Sequence, residues 1–71
     1  MKATLILTDQ LANKVIKETP YDIEESAQED FNTITKDWSE WDDKVYRLDL
    51  IAHHPIHGDL CRRSMFNNFL D

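Results

Sequence analysis

Glycine occurs once in these 71 residues, cysteine once and proline twice, and each scarcity closes off a class of function. A single glycine, Gly58, argues against phosphate-cradling loops, which need several for close backbone approach. With Cys61 alone, no intramolecular disulfide can stabilise the fold, and a lone thiol fits a reducing cytoplasm better than secretion. Long apolar runs are missing as well. Ala3, Leu5, Ile6 and Leu7 follow Lys2 and are broken by Thr4, a stretch too short for a signal-peptide core or a membrane span. The expected location is therefore cytoplasmic. Basic residues are also few, eight against fourteen acids, for a formal net charge of −6. Phosphate binding depends on neutralisation by Lys and Arg, so direct nucleic-acid binding is not expected. An anionic membrane surface is excluded on the same ground.

What is present suffices for one small core. Hydrophobic residues make up 41 % and charged residues 31 %, with two Trp, two Tyr and three Phe, a composition that argues against disorder. No linker, repeat or low-complexity stretch divides the chain, so residues 1–71 are expected to form a single compact α+β domain. A domain of this size buries only ~60 % of the surface its unfolded chain exposes, which leaves little room for a deep substrate cleft.

Lys2 to Thr8 reads as a buried strand. Val45 to Ala52 alternates, with Tyr46, Leu48, Leu50 and Ala52 on one face and Val45, Arg47, Asp49 and Ile51 on the other, as a strand with one face on the core does. Ile23, Ala27, Phe31, Ile34, Trp38 and Trp41 recur at helical spacing and predict a long amphipathic helix, with Asp22 and Glu25 as a capping pair. Cys61, Met65 and Phe69 share a helical face, predicting a C-terminal helix capped by Asp59 after a turn at Gly58. In that helix Cys61 is a buried structural thiol. Residues 9–19 fit either a short helix or a hairpin with its turn at Asp9 to Asn13. The hairpin is preferred because the first strand needs a partner. The expected fold is β-β-α-β-α, a three-stranded antiparallel sheet with helices packed on one face.

The acidity is local. Asp22 to Asp43 holds nine acids and one base, Lys36, a net −8, whereas each flank sums to +1. On the helix, Glu25, Glu29, Asp30, Asp37 and Glu40 lie on one side of the apolar stripe, and the neutral Gln28, Asn32, Thr35 and Ser39 on the other. Like charges three and four apart destabilise a helix by a few tenths of a kcal/mol per pair, so a merely solvated face would interleave lysines. Such a row can present spaced negative charge resembling a nucleic-acid backbone. Neither Asp42 with Asp43 nor Glu24 with Glu25 sits in a calcium-loop spacing. Uniformly exposed carboxylates also lack the contrasting environments of an acid–base pair.

All three histidines fall in one segment. His54, His57, Asp59 and Cys61 are the donor types of a transition-metal site, although Pro55 interrupts any helix that would align them. Cysteine-nucleophile chemistry needs a base and an orienting group; Cys61 has a histidine four residues away but sits on the apolar side of the expected last helix, beside Met65 and Phe69. Ser26, Ser39 and Ser64 carry no signature of an activated nucleophile. No cofactor and no catalysis are expected.

A small acidic domain without catalytic motifs acts by binding. The expectation is an inhibitor or adaptor that docks its acidic helix on a basic surface of a nucleic-acid-handling protein. Glu25, Glu29, Asp30, Asp37 and Glu40 would make the contact, with Asp42 and Asp43 at the edge. Phage and mobile-element inhibitors of host defence, of anti-CRISPR or anti-restriction type, have this general profile. Two alternatives stand beside it: a small metal-binding protein using His54, His57, Asp59 and Cys61, and a structural subunit of a homo-oligomer.

Overall fold

A computed structural model of the chain describes residues 1–36 and 45–66. Lys2–Asp9 forms strand β1, Lys14–Tyr21 β2, Glu24–Lys36 helix α1, Tyr46–His54 β3 and Gly58–Phe66 β4. All four strands pair antiparallel in one sheet, in the order β2-β1-β3-β4. The pairing of β1 with β3 sets Ala3 opposite Ala52, Leu5 opposite Leu50 and Leu7 opposite Leu48. Directly opposed residues share a face, so period-two patterning in both strands builds one apolar surface. Helix α1 packs there through Ala27 and Phe31, both with no exposed surface, and Leu5, Leu48 and Leu50 complete the core. Among the described residues no element packs on the sheet's other face, which carries Thr4, Ile6, Asp49, Ile51, His53, Asp59 and Cys61.

This architecture corrects the expected fold. The sheet has four strands rather than three, and a single helix covers it among the described residues. Residues 58–66, read as a C-terminal helix, are the edge strand β4. The β4 register shifts between Leu50 and Ile51 of its partner, leaving Arg62 as an extra bulged residue. The bulge puts Leu60, Arg63 and Met65 on the helix side, a spacing that breaks strict alternation. Cys61 is consequently exposed on the face away from α1 rather than buried in a helix. Asp59 caps nothing and lies opposite His53.

Residues 9–19 form the hairpin. Asp9 Oδ1 accepts the amides of Leu11 and Ala12 at 3.0 and 3.1 Å, and Asn13 takes the left-handed conformation, φ 52°, that closes the turn. Helix α1 opens with the Ile23 carbonyl accepting from Ser26 and Ala27. The Glu24 amide, an orphan donor of the first turn, is satisfied by the Met1 carbonyl at 2.8 Å in place of a bond between Asp22 and Glu25. Trp38 and Trp41, expected to end the helical stripe, lie outside the described residues, as do Asp37, Ser39, Glu40, Asp42, Asp43 and Phe69.

Candidate functional site

Helix α1 presents its two sides to different surroundings. On the neutral side the chain supplies its own cation. The Arg63 guanidinium lies 4.2 Å from the centroid of the Phe31 ring and donates to Asn32 Oδ1 at 2.7 Å and to Gln28 Oε1 at 3.4 Å. Arg62 approaches Glu24 at 3.8 Å across the helix start. On the acidic side, Glu25 and Glu29 stand one turn apart, exposed and without an ion pair among the described residues. Asp30 accepts the Tyr21 hydroxyl at 2.6 Å. Burial first, then that hydrogen bond and the charge of Asp30, push the Tyr21 phenol up to about 12. Beside Asp30, a groove of about 290 Å³ opens between α1 and β2, floored by Leu5, Leu7 and Leu48 and flanked by Lys17. Asp37, Glu40, Asp42 and Asp43, expected to extend the acidic row, lie outside the described residues.

The alternative metal set does not assemble. Among the described residues, no group of three or more His, Cys, Asp or Glu side chains converges as a metal site. His54 and His57 face each other at the β3–β4 turn, with ring centroids 4.6 Å apart. The Nδ1 of His54 accepts two backbone amides, from Ile56 and His57, each at 3.0 Å. Its lone pair is therefore committed to the turn, and the neutral ring carries its proton on Nε2. Neither nitrogen is free to ligate without opening the hairpin. Asp59 is drawn instead to His53, and Cys61 Sγ lies 3.6 Å from the Arg63 carbonyl.

A second constellation was not foreseen from the residues. On the sheet face away from α1, His53 bridges three adjacent strands. Its Nδ1 meets Asp59 Oδ1 of β4 at 2.6 Å, and its Nε2 meets Thr4 Oγ1 of β1 at 2.7 Å. A carboxylate only accepts, so Nδ1 donates, and in the neutral ring Nε2 accepts the Thr4 hydroxyl proton. The relay borders a shallow depression of about 620 Å³ lined also by Ile6, Ile51, Pro20 and Glu18. Four residues back along β3, Asp49 accepts from Arg47 Nε at 2.8 Å and from Ser64 Oγ at 2.6 Å. Thr4 and His53 are 49 positions apart, and only the β1–β3 register brings them together. The sequence carried no local signal for this, and the only clue lay in His53 and Asp59 flanking a Pro-containing turn.

No helix among the described residues is long and apolar enough to cross a membrane. No family model, no curated protein and no solved structure matches the chain.

Proposed function

We propose that this domain is an inhibitor or adaptor that docks the acidic side of helix α1 on a basic protein surface, one that otherwise receives nucleic acid. The observation that carries this reading is the pair Glu25 and Glu29, exposed and, among the described residues, without an ion pair, while the domain's own arginines are engaged elsewhere. A face whose charge is left unneutralised keeps its full attraction for a cationic partner and steers encounter at low ionic strength. The neighbouring groove fits the reading, since the aliphatic stem of a partner Lys or Arg can lie along Leu5 and Leu7 with its head at Asp30.

Affinity capture from the source cells tests it, with the wild-type chain compared against the Glu25→Lys/Glu29→Lys double variant. The expected result is a basic nucleic-acid-binding protein held at low salt, released at high salt, displaced by double-stranded DNA and not held by the folded double variant. Retention of the same protein by that variant, or its indifference to salt and DNA, would overturn the docking reading.

A further inference from the structure

We propose that Thr4 is an activated nucleophile, and that the Thr4–His53–Asp59 relay on the sheet face away from α1 transfers acyl groups from small uncharged esters. The relay has the three parts that activation of a hydroxyl requires: a hydroxyl within hydrogen-bond reach of a base, the base in turn held by a carboxylate, and space beside the nucleophile. Its contacts, 2.7 Å and 2.6 Å, both lie inside that reach. Asp59 holds the imidazole in the tautomer whose Nε2 lone pair points at Thr4 Oγ1, so it is a positioning residue. Thr4 and His53 are the groups that meet the substrate.

The depression names the substrate class. Ile6, Ile51 and Pro20 make an apolar bed next to Oγ1, suited to a short acyl chain, while Glu18 and Asp59 on its margin disfavour an anionic one. The strand ladder engages β1 with neighbours on both sides, so its backbone amides are not available to form an oxyanion hole. Lys2 lies directly opposite His53 in the register and supplies a cation on the same face. Esters with a good leaving group are therefore the ones that react.

In the first step Thr4 Oγ1 bonds to the ester carbonyl carbon and its proton passes to His53 Nε2. The carbon–oxygen bond to the leaving group then breaks, and that oxygen takes the proton from Nε2. Water next adds to the acyl-threonine and gives a proton to Nε2. The bond to Oγ1 breaks, Oγ1 recovers the proton, and the carboxylic acid departs. The balance is ester plus water to acid plus alcohol, with no oxidant or metal. The acidic helix plays no part, so this inference stands or falls independently of the docking reading.

The test uses p-nitrophenyl acetate with the full chain, following p-nitrophenolate release and locating the acetyl group by tandem mass spectrometry. The expected result is an O-acetyl on Thr4. It should be retained by Thr4→Ser, absent in Thr4→Val, and formed at least ~100-fold more slowly in His53→Gln, which can keep both hydrogen bonds but offers no base. Asp59→Asn should slow it about 10-fold or more, with Asp59→Glu restoring much of the rate. Amide spectra of each variant report the fold, and the near-isosteric Thr4→Val and His53→Gln keep the comparison valid if Asp59→Asn loosens the hairpin. Acetyl found only on lysines or the terminal amine, or on Thr4 at an undiminished rate in His53→Gln, would overturn the proposal.

Discussion

Tyr21 illustrates how a single side chain ties folding to pH. Its hydroxyl donates to Asp30, joining the end of β2 to the middle of α1, and its ionisation is pushed from 10.0 to about 12, by burial before anything else. The unfolded chain gives up the phenol proton near 10.0, so between about 10 and 12 the folded state holds one proton more than the unfolded state. The contribution is therefore complete below pH 10, declines as pH rises through this window and is gone above 12. Tyr21→Phe should be less stable than wild type by about 1 kcal/mol at neutral pH, the worth of one net hydrogen bond. That difference should fall steadily as pH rises from 10.0 towards about 12, because there the folded wild type alone must take up the proton the unfolded chain has lost. Paired urea titrations at stepped pH measure it, and a difference constant across the window would refute the assignment. Lysine and arginine titration affects both chains alike and cancels.

At the scale of elements, the β3–β4 hairpin shows what patterning reveals and what it hides. The alternation of Tyr46, Leu48, Leu50 and Ala52 was legible because every second residue faces one core. For residues 9–19 the sequence left helix and hairpin open, with the hairpin preferred because the first strand needs a partner, and Asp9 and Asn13 close that turn. Strand β4 was not legible, because bulged Arg62 interrupts its period and leaves Cys61 and Met65 at a spacing that also suits a helix. The same misreading placed the histidine segment in a strand-to-helix loop, which concealed that His53 and Asp59 face each other. The turn between β3 and β4 rests on His54, whose Nδ1 takes two backbone amides, and on Gly58 at φ 78°, where no added Cβ would meet an obstacle. His54→Ala should cost about 1 kcal/mol in a urea titration, because two amides lose a preorganised acceptor to water. His54→Asn should recover most of that loss, since its carbonyl can accept amides two and three residues on. Equal stability of the two variants would mean that the ring packs rather than caps.

For the whole molecule, helix α1 packs on the same sheet whose other face carries the relay, so both candidate surfaces depend on one small core. Among the described residues Phe31 is the largest side chain with no exposed surface, and it packs in the sheet core while also stacking under Arg63 of the edge strand. A domain of this length has roughly 4–10 kcal/mol of stability, at about 0.05–0.15 kcal/mol per residue. Truncating a buried phenylalanine to alanine costs about 3–5 kcal/mol, most of what is available. Phe31→Ala should therefore lose the cooperative unfolding transition seen by circular dichroism, or shift its urea midpoint close to zero. Phe31→Leu, which keeps most of the volume but not the ring under Arg63, should retain the transition at a lower midpoint. The two faces then respond in a characteristic way. Reversing Glu25 and Glu29 should leave the core and the relay face intact, and Thr4→Val should leave the helix intact, so each is expected to remove one of the two proposed capacities. Phe31→Ala removes both, because neither the row of carboxylates nor the three-strand relay has a geometry of its own without the helix seated on the sheet.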